Sequence, residues 1–166
     1  INDEYLPFIT PDMNAVFYGS KTALAVMAGK LGLQEEAHMW KQAAHEIKKK
    51  IIEICYDEED DFFYDVDRFG NKIKCKSISI TNLFCESVLD MDMADRIFKK
   101  YLDNPNEFKT PYPYPAVSVS DPLWIQNLPG NSWGFYSQGL VSLRTLRWMD
   151  KYGFSAQLED NMRRWI

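Results

Sequence analysis

The connectors between the helical segments of this chain alternate in length, and that alternation restricts the fold more than any other feature of its 166 residues. Short links at Gly32, Asp90 and Gly153 each separate two helical patterns that follow one another almost at once. Long links at 57–77 and 104–132 separate one such pair from the next. A short link makes its two helices antiparallel neighbours. In a row of antiparallel pairs, the short links then fall at one end and the long links at the other, so one end gathers the loops. Loops and helix N-termini are where polar ligands are usually bound.

The helices are legible one by one. Thr10-Pro11-Asp12 is a start signal: a hydroxyl N-cap, a proline where its missing N–H costs nothing, and an acid facing the helix dipole. Met13, Val16, Phe17, Leu24, Met27 and Leu31 then recur at helical spacing with small residues among them, and Gly32 supplies a left-handed stop. Ala37, Trp40, Ala44, Ile47, Ile51 and Ile54 step by alternating threes and fours, one narrow apolar face on a helix otherwise covered in Lys, Glu and Gln. That pattern predicts an outer helix. Further helices are predicted over 78–89, 91–102, 133–152 and 155–166.

Over 57–77 the period changes. The acid run Asp57 to Asp61 reads as a solvated loop start, and Phe62-Phe63-Tyr64 with the turn Arg68-Phe69-Gly70-Asn71 predicts a small β-hairpin carried in a long loop. The segment 104–132 holds most of the prolines, and its length predicts a functional loop rather than a plain connector. Together these patterns predict an all-α fold of three helical hairpins, 12–56, 78–103 and 133–166, forming about half of an (α/α)6 toroid whose inner helices present their N-termini to a central cleft. A helical solenoid would alternate in the same way, but no signature recurs between the pairs.

Charge and composition exclude several function classes. The net charge is −5 and the bases are interleaved with acids, so no cationic stripe exists to neutralise phosphates, and nucleic acid is not an expected partner. Apolar stretches are interrupted well short of a membrane span, which reads as a soluble chain without a membrane partner, its compartment, cytoplasmic or periplasmic, left unknown. Cys55, Cys75 and Cys85 form no CxxC pair and allow at most one bridge. Asp65 and Asp67 lack the further oxygen ligands a calcium loop needs, and His38 and His45 have no third ligand, so neither metal nor cofactor is implied. Ser132 and Ser137 have no His and Asp arrangement beside them, which leaves acyl transfer unsupported. A start on Ile1 and a stop within the helix-like Met162-Arg163-Arg164-Trp165-Ile166 read as an excised or processed piece. Aromatic residues make up 14%, which suits either a ligand bound by stacking or a Tyr- and Phe-rich core.

Pro11-Asp12-Met13-Asn14-Ala15 through Leu31-Gly32, Phe62-Phe63-Tyr64-Asp65-Val66-Asp67, Pro113 to Ser118, Asp121-Pro122 and Asn131-Ser132-Trp133-Gly134 follow one another in an order that resembles the six-hairpin glycoside hydrolases. These include trehalase, the processing α-glucosidases and mannosylglycerate hydrolase. The resemblance implies inverting hydrolysis of an α-glucosidic bond, with one acid protonating the glycosidic oxygen and a separated carboxylate activating water. It also implies that the acid precedes the point matching Ile1 and that the base lies beyond Ile166, so the catalytic residues of this chain stay unknown. A half toroid would then associate with the remainder of the same enzyme or with another copy of the chain, because its inner helices are otherwise exposed.

The resemblance places Trp133 at the opening of an inner helix beside the sugar. Gly134-Phe135-Tyr136 stands where the family often has Arg-Gly-Pro, which removes the usual arginine. Trp133, Tyr136 and Gln138 are candidates for a stacking platform and polar contacts to a sugar ring, against a plain hydrophobic plug at a helix start. Asp121 is either a hydrogen-bond acceptor for carbohydrate or a turn former, and Trp124 either lines the cleft or packs. Two other functions compete with hydrolysis: a non-catalytic helical carbohydrate-binding or scaffold module, and a different toroid enzyme such as a polysaccharide lyase or an epimerase, for which Tyr112, Tyr114 and Arg68 form no clear constellation.

Overall fold

A computed structural model describes residues 8–125 and 136–166. The chain forms two compact units, Ile1–Lys74 with Glu86–Val88, and Cys75–Cys85 with Leu89–Ile166.

The first unit is built on a helical hairpin, α1 (Pro11–Lys30) and α2 (Gln34–Cys55). Pro11 opens α1 as expected, but the Thr10 hydroxyl makes no capping bond. The Thr10 carbonyl instead accepts the Asn14 side-chain amide at 2.7 Å. The stop is a Schellman motif: Gly32 sits at φ 78°, its N–H reaches the Gly29 carbonyl at 3.2 Å, and the Leu33 N–H reaches that of Ala28 at 2.9 Å. Small residues of α1, Ala15, Ala25 and Ala28, are buried, while α2 buries Ala44, Ile51 and Cys55. The larger apolar residues of α1 face out, with Met13 55%, Phe17 56% and Met27 52% exposed. Gly19 has its own reason: a Cβ there would meet the Glu86 carboxylate at 1.9 Å.

Beyond α2 the expected single hairpin is two antiparallel ribbons in series, β1 (Tyr56–Asp57) with β2 (Phe62–Phe63), and β3 (Asp65–Val66) with β4 (Lys72–Ile73). The acid run is not a merely solvated loop start. Asp57 is buried and takes Lys74 at 2.8 Å, Asp60 takes the same ammonium at 2.7 Å, and the Tyr64 hydroxyl donates to Asp60 at 2.9 Å. The lysine bonds hold both carboxyls below the ordinary carboxylate range, with Asp57 at about 2. Asp67 organises the second turn by accepting the Phe69 and Asn71 amides at 2.8 and 2.9 Å, with Gly70 at φ 88°. Phe62, Phe63, Tyr64 and Val66 are buried in this frame.

In the second unit a 3-10 turn, Ile78–Ile80, leads into α3 (Thr81–Cys85). The helix expected to reach residue 89 ends at Cys85, and Ser87 at φ 65° follows. Asp90 caps α4 (Met91–Ile97) by accepting the Met93 amide at 2.8 Å, and a π turn, Phe98–Leu102, extends it. The helix predicted over 133–152 is shorter among the described residues, α5 (Gly139–Arg144) plus a 3-10 turn, Thr145–Arg147. There the Thr145 hydroxyl donates to the Ser142 carbonyl at 2.6 Å, a local bond of the kind that competes with the helical ladder. A second Schellman stop at Gly153, φ 81°, leads into α6 (Ser155–Arg163). The core is aromatic: Phe84 meets Trp148 at 4.6 Å, and Phe98 stacks on Phe154 at 3.8 Å.

Asp65, half-buried on β3, has its carboxyl pushed up to about 6, first by burial and then by the charge of Asp12. A carboxyl that binds its proton more tightly when folded stabilises the fold below its unfolded value of 3.8, and that contribution is lost as pH rises to about 6. Asp65→Asn is therefore expected to raise stability at pH 7 by about 1–3 kcal/mol. The gain should shrink as pH falls from 6 and vanish below the unfolded value of 3.8, as read from urea midpoints across that range. An equal gain at both ends would contradict this assignment.

Candidate functional site

The long connector of the second unit is irregular yet tied down along its length. Ser77 pairs with Val117 in an isolated antiparallel bridge, the Ile78 N–H donates to Ala116 at 3.0 Å, and the Ser118 N–H donates to Lys76 at 3.0 Å. A polar cluster closes the loop from inside. Glu107 accepts the hydroxyl of buried Ser118 and that of Ser120, the latter at 2.7 Å, while Lys76 Nζ lies 2.8 Å from Ser120 and 3.4 Å from Glu107.

Asp121 completes the closure. It is buried, and its two oxygens accept the backbone amides of Lys76 at 2.8 Å and Leu123 at 2.9 Å. The geometry thus supports the turn-forming reading of Asp121. It starts the 3-10 turn Pro122–Ile125, whose Trp124 N–H donates to the Asp121 carbonyl at 2.9 Å.

This turn delivers Trp124 to a groove of about 530 Å³, lined also by Thr110, Pro111, Tyr112, Tyr136, Ser137 and Trp165. Tyr112 and Trp165 meet edge-on, centroids 5.8 Å apart, and Tyr112, Tyr136 and Trp165 are 63%, 49% and 37% exposed. Tyr112 is held from two sides, because the hydroxyls of Thr110 and Ser137 both donate to its carbonyl. Tyr136 is fixed through its own carbonyl, which accepts the Ala116 N–H at 3.1 Å, next to the isolated bridge between Pro115 and Ser137. Behind the groove, Arg164 reaches the Thr110 carbonyl at 3.4 Å and Asp160 at 3.0 Å, and Lys109 is paired with Asp103 at 2.6 Å.

Of the residues singled out in the sequence, Trp124 and Tyr136 come together here. Gln138 sits at the N-cap of α5 without a side-chain capping bond. Trp133 lies outside the described residues. Sequence reasoning misses Tyr112, Trp165, Thr110 and Ser137 as groove residues. An exposed Trp165 at the end of the amphipathic α6 is the one signal available, since an apolar side chain at that place needs a partner or a ligand.

Residues 5–140 match the mannosylglycerate hydrolase MGH1-like glycoside hydrolase domain. The chain belongs to that family. It is 30% identical over 136 residues to an uncharacterized protein of Borreliella burgdorferi, a match that takes in 81% of this chain and 27% of that protein. Among solved structures, neutral trehalase Nth1 from Saccharomyces cerevisiae superposes with a TM-score of 0.79 at 17% identity, covering 95% of this chain and 30% of the trehalase. GH63 mannosylglycerate hydrolase from Thermus thermophilus, in complex with glucose, gives 0.76 at 18% identity, covering 95% of this chain and 36% of the hydrolase. These likenesses establish the fold, helical hairpins of the (α/α)6 toroid with small β ribbons between them. The chain spans less than a third of the length of the Borreliella and yeast proteins.

The closure of this loop by Asp121 predicts a measurable cost. Asp121→Ala leaves the Lys76 and Leu123 amides without their acceptor, and is expected to destabilise the second unit by about 2–4 kcal/mol in chemical denaturation. A change within about 0.5 kcal/mol would mean that the loop holds without it.

Proposed function

We propose that this chain is a segment of a glycoside hydrolase catalytic domain that cleaves O-glycosidic bonds, of α-glucosidic type and with inversion, and that it contributes sugar-pocket residues without carrying both catalytic carboxylates. The observation that carries this reading is the pairing of an aromatic, ligand-sized groove with carboxylates that are already engaged. Inverting hydrolysis needs one carboxylic acid to protonate the leaving oxygen and a second carboxylate, roughly 6.5–9.5 Å away, to activate water. Among the described residues of the second unit, Asp121 and Glu107 commit their oxygens to the loop, and Asp103 and Asp160 to Lys109 and Arg164. Tyr112, Trp124, Tyr136 and Trp165 offer rings to a sugar. Gln138 and Trp133 are further binding residues in this reading. Asp121 supports the site by holding the turn that presents Trp124.

The exposed face of α1 fits the same reading. Met13, Val16, Phe17 and Met27 form an apolar strip that a lone hairpin has no reason to display, and in a toroid each inner helix lies beside its neighbours. The remainder of the same enzyme, or another copy of the chain, would cover it.

The alternative is a non-catalytic carbohydrate-binding or scaffold module, favoured by the same engaged carboxylates. Aryl α-glucoside hydrolysis separates the two. The chain by itself should show no turnover above background, the polypeptide that completes the toroid should show it, and the first product detected by NMR should have the inverted anomeric configuration. Absence of turnover across a broad aryl glycoside panel, from a folded and complete toroid, moves the binding module ahead.

A further inference from the structure

Ile47, Ile51 and Ile54 form one apolar face of α2, yet in the folded hairpin that face is not fully covered. Ile51 is buried, while Ile47 and Ile54 stay half-buried. Together with Phe8 and Ile9, which precede α1, they wall a half-enclosed cavity of about 380 Å³, with the buried Cys55 in its lining. All of these residues belong to the first unit, and none of them lines the aromatic groove of the second. The volume falls in the range of small-ligand sites, roughly 300–1,000 Å³, and suits a small molecule rather than a peptide.

The two polar members of the lining differ in what they have left to offer. Asn14 commits its side-chain N–H to the Thr10 carbonyl at 2.7 Å. Lys50 is exposed and makes no hydrogen bond or ion pair with any of the described residues. The acids one turn away on α2 leave it so: Glu53 pairs with Lys49 at 3.7 Å, and Glu46 makes no ion pair among the described residues. At Cys55 the balance is the reverse. Burial, and then the charge of Asp65, push that thiol up to about 11, so it stays protonated and this wall carries no charge. An anion held against Cys55 would lose its hydration without a partner. An apolar chain laid on the isoleucines and Cys55, with an anionic head at Lys50, satisfies both ends of the cavity.

We propose that this cavity is a binding site for a small aliphatic carboxylate free in solution, its chain on Ile47, Ile51 and Ile54 and its carboxylate at the Lys50 ammonium. Nothing in this assignment depends on sugar binding. Ile9 joins the cavity to the bridge with Val66, immediately before α1, so a bound acid also braces the chain where that helix starts.

The test uses the whole chain with isotope-labelled isoleucine methyl groups, titrated at neutral pH with octanoate, octanol and octylammonium and followed by NMR. Octanoate is expected to shift the Ile47, Ile51 and Ile54 methyls saturably, while those of Ile78, Ile80 and Ile97 in the second unit stay in place. It should bind roughly 3- to 10-fold more tightly than octylammonium, whose charge opposes Lys50. Lys50→Gln, at an exposed position, is expected to weaken octanoate by roughly 2- to 5-fold and to leave octanol unchanged. No saturable shift of the three α2 methyls overturns the cavity as a ligand site, including the case in which another part of the protein fills it. Equal affinity for octanoate and octylammonium, or unchanged octanoate affinity in Lys50→Gln, overturns the placement of the carboxylate at Lys50.

Discussion

A buried carboxylate that accepts two backbone amides is the contact on which the groove depends. The segment from Asn104 to Ile125 has only short helical turns, so its buried N–H and C=O groups cannot find partners along a continuous ladder. Asp121 answers for two N–H groups at once, one in its own turn and one at Lys76, far away in sequence. Glu107, with Ser118, Ser120 and Lys76, answers for the adjacent side chains. Polar closure of this kind leaves aromatic side chains free to face outward. In an apolar loop the same rings would be drawn inside.

The two units use their apolar residues differently. In the second, Phe84, Phe98, Trp148 and Phe154 are internal and joined by ring contacts, while the groove rings stay outside. In the first, α1 buries its alanines and turns its large residues outward. Small residues on the packed face let two helix backbones come close, and the consequence is a hairpin with little buried side-chain volume of its own. Such a hairpin is suited to being one member of a ring in which neighbours supply the missing contacts. That is the position helical pairs hold in the toroids of trehalase and mannosylglycerate hydrolase, to which this chain is similar over 95% of its length.

Helix starts and stops are legible because their chemistry is local. Pro11 opens α1, Gly32 at φ 78° ends it, and Gly153 at φ 81° closes the turns before α6, both in Schellman motifs that a glycine announces in one letter. Within the acid run Glu58 and Glu59 are exposed as read, but Asp57 is not, because its partners, Lys72 and Lys74, lie across two ribbon turns and no period marks them. The early end of α3 at Cys85 depends on Ser87 at φ 65°, a conformation that serine does not advertise. At the site, Trp124 and Tyr136 are found through resemblance and aromatic character. Tyr112 and Trp165 are not, since what joins them is the approach of a loop to a helix more than fifty residues away. Asp121 offers two roles in the sequence, and only the positions of two amides favour one of them.

The way α6 serves this loop shows why position and function are hard to separate here. Tyr114 holds φ 67°, an uncommon conformation for a bulky residue and one that costs roughly 1–2 kcal/mol. Asn161, buried on α6, offsets that by donating to the Tyr114 hydroxyl at 2.7 Å, and burial pushes the tyrosine well above its ordinary pKa, so it stays neutral. Four residues on, two residues past the end of α6, Trp165 meets Tyr112. Beside them Asp160 and Arg164, also four apart, pair with each other, while Arg164 reaches the Thr110 carbonyl. The last turn of α6 and the residues just past it therefore hold the bend of the loop, the position of its backbone and the ring that closes its groove. A rotation of α6 by a single residue would break all three, so the helix must be held in register for the edge-on ring pair to exist.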